Sequence, residues 1–137
     1  MSEYASGAFA VTAWDETVLH DFGDGVRVVR VAVQQTYEGD LQASAVGEYE
    51  MVYRDDGGAE FRGYQRLTGS LGGRTGEWVM QVDCRFDGRI TEGEIAAITG
   101  VGDPVMREVK GAGGFFAELG PTGEYHFDYV FIDPQPL

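Results

Sequence analysis

Cysteine is nearly missing from this sequence: Cys84 is the only one in 137 residues. A lone cysteine excludes an internal disulfide framework and cannot by itself form a thiolate metal site, in keeping with a reducing compartment. Histidine is almost as scarce. His20 and His126 form no His-x-His pair, so a cupin-type metal centre, which needs several imidazoles, is excluded on ligand count. Basic residues are few, 10 lysines and arginines against 23 acids, and the formal net charge of -13 at pH 7 would repel a phosphate backbone. Nucleic acid is therefore not an expected partner. No apolar run approaches the roughly 20 residues that cross a bilayer. Met1-Ser2-Glu3-Tyr4 lacks the basic and apolar segments of a signal peptide. No membrane partner is expected, and the chain reads as cytoplasmic.

Also missing is any long run of 3.6-residue periodicity. Instead there are 21 glycines, only four prolines, and many aromatic and β-branched residues, the composition of short strands separated by turns. Alternating runs predict strands at Ala5 to Trp14, Arg27 to Tyr37, Leu41 to Tyr53, Glu60 to Leu71, Gly76 to Phe86, Ile90 to Thr99, Gly111 to Ala117 and Glu124 to Phe131. Gly39-Asp40, Asp55-Asp56-Gly57-Gly58, Gly72-Gly73 and Asp87-Gly88 supply the hairpin turns between them. Two connections read as longer loops, the acidic Asp15 to Gly25, and Gly100 to Lys110, whose Pro104 allows one helical turn over a barrel mouth. Eight such strands make either a sandwich or a closed barrel, and closure removes exposed edges. The expectation is all-β: a single eight-stranded antiparallel up-and-down β-barrel, one domain over 1–137, with core strands at about 5–131 and a short tail at 132–137.

Strand parity assigns the faces. In Leu41 to Tyr53, Ala43, Ala45, Gly47, Tyr49, Met51 and Tyr53 oppose Gln42, Ser44, Glu48 and Glu50. The same test turns Phe9, Val11, Val29, Val31, Val33, Gln35, Tyr37, Phe61, Gln65, Trp78, Met80, Val82, Cys84, Phe86, Phe115, Tyr125, Phe127, Tyr129 and Phe131 inward. The resulting interior is rich in phenols and nearly free of charge. An eight-stranded barrel is just wide enough to be filled by side chains or to hold one small ligand. Small inward residues such as Ala43, Ala45, Gly47, Gly63, Ala97 and Gly113 favour the second. Buried phenols need hydrogen-bond partners, which a bound polar group can provide.

Familiar catalytic arrangements are missing from that interior. The acids Asp15, Glu16, Asp21 and Asp24 lack calcium-loop spacing. No two inward carboxyls are available for glycoside hydrolysis. Gly69-Ser70-Leu71 is no nucleophile elbow, and Cys84 has no base predicted beside it. The glycine-rich Leu71-Gly72-Gly73-Arg74-Thr75-Gly76 is followed by the alternating Glu77 to Val82. It is therefore a hairpin tip, because a phosphate loop must lead into a helix. No cofactor and no metal are expected.

At Gln35-Thr36-Tyr37-Glu38-Gly39-Asp40, Glu48-Tyr49, Gly69 to Gly76, and Gly123-Glu124-Tyr125-His126-Phe127-Asp128-Tyr129, the chain resembles a bacterial family carrying domain of unknown function 3224. The resemblance spans about Gly7 to Phe131. It implies a barrel similar to that of the allene oxide cyclases, calycin-like in outline, and implies no particular reaction. Where the family pattern commonly has an acid, a histidine and a tryptophan, this chain has Gln65, Val82 and Ile95. Similar barrels include cyclases that close rings in polyketides or polyenes, a chemistry suited to an uncharged cavity.

The resulting expectation is a cofactor-free cyclase or isomerase in secondary metabolism. It would fold a hydrophobic, carbonyl-bearing small molecule into one reactive conformer and polarise it by hydrogen bonding. Tyr49, Tyr53, Gln65 and Tyr125 are the catalytic candidates. Gln35, Met51, Phe61, Trp78, Met80, Val82, Phe127 and Tyr129 are the candidate substrate-binding residues, with Gln35 and Tyr129 able to share the hydrogen-bonding role. The alternative is a non-catalytic carrier of a small hydrophobic ligand. A homodimer or higher homo-oligomer is compatible with either.

Overall fold

Each alternating run becomes a strand: β1 Glu3–Gly23, β2 Val26–Gly39, β3 Leu41–Tyr53, β4 Ala59–Leu71, β5 Arg74–Phe86, β6 Ile90–Val101, β7 Val109–Glu118 and β8 Thr122–Phe131. The structure is a computed structural model that describes residues 3–101, 109–118 and 120–132. Every strand pairs antiparallel with the next, and β8 pairs back to β1, so the sheet closes into a barrel. Among the described residues no helix is long and apolar enough to cross a membrane. The predicted loop Gly100 to Lys110 lies largely outside the described residues; its ends continue β6 and β7.

The turns explain the meander. At the Gly72-Gly73 tip both residues have positive φ, 59° and 79°, and Leu71 pairs with Arg74 across it. Two-residue loops of this kind match the twist of the flanking strands. Asp87 closes β5–β6 by accepting the Arg89 and Ile90 amides at 2.9 and 2.7 Å. Asp40 staples the β2–β3 turn to β1, accepting the Ser6 amide at 3.0 Å and donating its own to the Ser6 carbonyl at 3.1 Å.

The acidic segment Asp15 to Gly25 corrects the sequence reading. It is not a loop: β1 continues to Gly23, pairs with β2 as far as Gly23↔Val26, and turns through Asp24 and Gly25, whose φ values are 55° and 84°. Three register shifts, at Val11/Ala13, Val18/His20 and Asp21/Gly23, disrupt the alternation that would have revealed it. The first shift matters most. Val11 pairs with Gln35 and Trp14 with Val33, both inward positions of β2, so the extra residue Thr12 turns Trp14 and then Glu16 toward the interior side.

The connections β1–β2, β3–β4, β5–β6 and β7–β8 lie at one end of the barrel, called the upper end below; β2–β3 and β4–β5 turn at the lower end. The lower half is packed solid: Leu41, Leu67, Leu71, Trp78, Met80, Val109 and Phe127 are fully buried. On the outer face the predicted polar residues form cross-strand pairs such as Arg30–Glu48 and Arg66–Glu77. Such exposed pairs contribute little to stability.

Candidate functional site

The upper half is not filled. A cavity of about 380 Å³ lies there, bounded by Phe9, Val11, Trp14, Met51, Phe61, Phe86, Ile95 and Phe115, with Tyr53, Thr91, Ala117, Gly120 and Pro121 toward the open end. No charged side chain is among the described residues that line it. The aromatic walls brace one another edge to face. Phe9 meets Phe115 with centroids 5.6 Å apart at 85°, and Trp14 meets Phe61 at 5.9 Å and 85°. Trp14 also leans on Tyr49 at 6.2 Å, a contact that depends on the bulge at Thr12.

Polar groups gather at the floor, where β2, β3 and β4 present Gln35, Tyr37, Tyr49 and Gln65 side by side. Tyr37 Oη donates to Gln65 Oε1 at 2.5 Å, and Gln65 Nε2 donates to Gln35 Oε1 at 2.7 Å and to Tyr49 Oη at 2.5 Å. Tyr49 Oη in turn donates to Gln35 Oε1 at 3.0 Å. Gln35 and Gln65 are the buried polar residues of the core, 8% and 3% exposed, and they are tolerated because each is bonded to the other and to a phenol. Burial, reinforced at Tyr37 by the neighbouring Tyr49, pushes both phenols above the ordinary tyrosine range. They therefore stay protonated and act as hydrogen-bonding groups, not as bases.

At the open end Tyr53 Oη donates to the carboxylate of Glu16, and the Arg27 guanidinium lies 4.3 Å above the Tyr53 ring. Partial burial, followed by the hydrogen bond and negative charge of Glu16, pushes the Tyr53 hydroxyl up to about 12, with Arg27 opposing the rise. Glu16 qualifies the expectation of an interior without carboxyls: the bulge brings one to the interior side at the rim.

Not all the sequence-predicted residues come together. Tyr49, Tyr53, Gln65, Gln35, Met51 and Phe61 line the cavity. Tyr125 does too, but only with its ring, which meets Tyr37 edge to face at 5.6 Å. Its hydroxyl is held by backbone, accepting the Leu41 amide at 2.8 Å and reaching the Glu38 and Leu41 carbonyls at 3.0 and 3.1 Å. Trp78, Met80, Phe127 and Tyr129 are inward-facing as predicted but lie outside the cavity, in the packed lower half. Val82 is also inward-facing and does not line the cavity, although it pairs with the lining residue Ile95 in the upper half of β5. Parity gives the face of a residue and not its height along the barrel. Trp78 Nε1 is buried without a hydrogen-bond partner among the described residues. Among the residues missed were Trp14 and Glu16, hidden by the bulge; Tyr37, placed inside but not recognised as the fourth member of the floor; and Phe9, Val11, Phe86 and Phe115, placed inside but not assigned to the site.

Cys84 is buried, and burial with the nearby Asp83 and Glu94 charges raises its thiol above the ordinary range, away from thiolate chemistry. Among the described residues no group of three His, Cys, Asp or Glu could hold a metal ion.

Residues 5–129 match the model of a family described as "Protein of unknown function (DUF3224)". A crystal structure of a protein of unknown function from that family, from Shewanella oneidensis MR-1, is similar in fold. Its TM-score is 0.74 at 22% identity, over 98% of this chain and 100% of that one. No curated protein matches the chain.

Proposed function

This chain belongs to the DUF3224 family, and we propose that it is a cofactor-free cyclase or isomerase. Its substrate is a hydrophobic, carbonyl-bearing small molecule, polyketide-like or polyene-like, taken into the upper half of the barrel. The observation that carries this reading is a cavity with aromatic walls, no lining charge, and its polar groups concentrated on one bonded floor. Pockets of this composition hold a small molecule by apolar contact and orient it by a few fixed polar groups.

Such a site accelerates a reaction without acid or base by holding a flexible chain in one near-attack conformer. Orientation effects of this kind reach several kcal/mol. Trp14, Phe61 and Met51 shape the wall against which the chain would fold. A donor at the floor polarises a carbonyl where water is excluded. Tyr53, held by its hydrogen bond to Glu16, borders the open end through which a substrate would enter.

A second reading, a carrier, is favoured by one observation: the Tyr125 hydroxyl and both N–H groups of Gln65 are already engaged within the protein. Ring closure and isomerisation both conserve mass, which separates the two readings. The protein is incubated with an apolar extract of its own source organism, and the extract is followed by chromatography with mass detection. The enzyme reading predicts depletion of one component with growth of another of identical mass and different retention. A component that binds and is recovered unchanged supports the carrier and overturns the enzyme.

A further inference from the structure

The floor network has one loose end. Gln35 Oε1 accepts from both Tyr49 Oη and Gln65 Nε2, which commits the amide to one orientation and leaves its Nε2 pointing elsewhere. That nitrogen has no hydrogen-bond partner among the described residues. It is not among the fully covered polar atoms either, so it keeps surface open to the cavity that Gln35 lines. The reverse arrangement, with both amides flipped, would leave the Tyr37 hydroxyl proton and one Gln65 N–H without acceptors. Tyr37 and Gln65 are 5% and 3% exposed, so these donors sit where an unmet hydrogen bond is costly.

We propose that the Gln35 side-chain amide is the recognition point of the cavity and receives the oxygen of a neutral carbonyl group on the ligand. This inference rests on the reading of the cavity as a ligand site and deepens it by naming the residue that receives the ligand's carbonyl and by excluding a carboxylate. The free groups of Gln35 are donors only, so the ligand atom that meets them is an acceptor. No cationic side chain lies among the described lining residues, so a carboxylate there would be an uncompensated buried charge. A head group that must also donate finds the floor poorly prepared, since Gln35 Oε1 already accepts two bonds and Gln65 Oε1 accepts Tyr37. Tyr37, Gln65 and Tyr49 are positioning residues: they fix which way the Gln35 amide points.

The test uses one ring system with three head groups, 2-acetylnaphthalene, 2-ethylnaphthalene and 2-naphthoate, titrated into the full chain and into Gln35→Met and Thr91→Val. Thr91 carries a hydroxyl on the cavity wall away from the floor. The ketone should bind wild type about threefold to tenfold more tightly than the hydrocarbon, the worth of one net hydrogen bond, and more tightly than the carboxylate. Q35M should abolish the ketone's advantage while hydrocarbon binding persists; T91V should leave that advantage in place. In parallel, the infrared carbonyl band of the bound ketone should lie below its position in hexane for wild type and T91V. That band decides the matter if Q35M does not fold. Equal binding of ketone and hydrocarbon, tighter binding of the carboxylate, or a carbonyl band at the hexane position overturns the assignment of Gln35 while leaving the cavity as a ligand site. If none of the three probes binds, the cavity reading and the assignment fall together.

Discussion

Two tyrosines at opposite ends of the cavity show how the same side chain serves different purposes. The Tyr125 hydroxyl stitches β8 to the β2–β3 turn by bonding the backbone at Leu41 and Glu38. Tyr125→Phe should therefore destabilise the protein by about 1–3 kcal/mol, the cost of leaving a buried donor unmet, seen as a lower urea midpoint at unchanged slope. Hydrocarbon probe binding should survive, because the ring remains. Tyr53 is tuned instead by its partner. Glu16→Gln removes both the charge and the carboxylate that hold the proton on, so the Tyr53 hydroxyl should titrate below its value of about 12, read from tyrosinate absorbance against Tyr53→Phe. The sign of the stability effect follows from the folded state holding these protons more tightly than the unfolded chain. Below about pH 10 the contribution of the raised tyrosines is fully present, and it is lost as pH rises through the folded value near 12 at Tyr53. A urea midpoint that falls across that window is the expected result, and one that rises would contradict the assignment.

At the scale of the strand, legibility in the sequence depended on uninterrupted alternation. Leu41 to Tyr53 is observed with the bounds read from its parity, because Tyr49 and Met51 go in while Glu48 and Glu50 go out without a break. β1 shows the opposite case. Its upper half carries three register shifts and is exposed on both faces, so Asp15 to Gly23 has the charge pattern of a loop although it is a strand. Asp24-Gly25 followed by Val26 was the available hairpin signal, and the acids around it obscured it. The floor was legible in part for a related reason. Parity places Gln35, Tyr37, Tyr49 and Gln65 on the inner face, whereas only registers such as Val31↔Tyr49 and Gly47↔Gln65 set how they align across strands. Gly63 shows how tightly that alignment is held. It lies opposite Tyr49, and a Cβ there would sit 2.0 Å from the Glu48 carbonyl oxygen and 2.9 Å from Tyr49 Cδ1. Gly63→Ala should cost about 1–3 kcal/mol by overpacking. Because Tyr49 must move, the ketone preference of the cavity should fall as well. Retained preference in a destabilised G63A would separate the floor from the β3–β4 contact.

For the molecule as a whole, the division of the barrel into a packed lower half and an open upper half is what turns a common architecture into a candidate site. Closure removes free sheet edges through most of the barrel and lets the interior differ in character along its axis. The lower half, with Trp78 and Phe127 fully buried, supplies cohesion; the upper half gives up packing to leave about 380 Å³. An interior kept open costs stability unless something occupies it. A ligand that binds only the folded state should therefore stabilise the chain, with 2-ethylnaphthalene raising the melting temperature in proportion to the logarithm of its concentration. The most direct test is native mass spectrometry of the protein purified from its own source. The predicted result is one neutral small molecule bound to each chain and released on denaturation. The bare chain mass, unchanged after exposure to excess 2-ethylnaphthalene, would contradict a ligand-binding barrel.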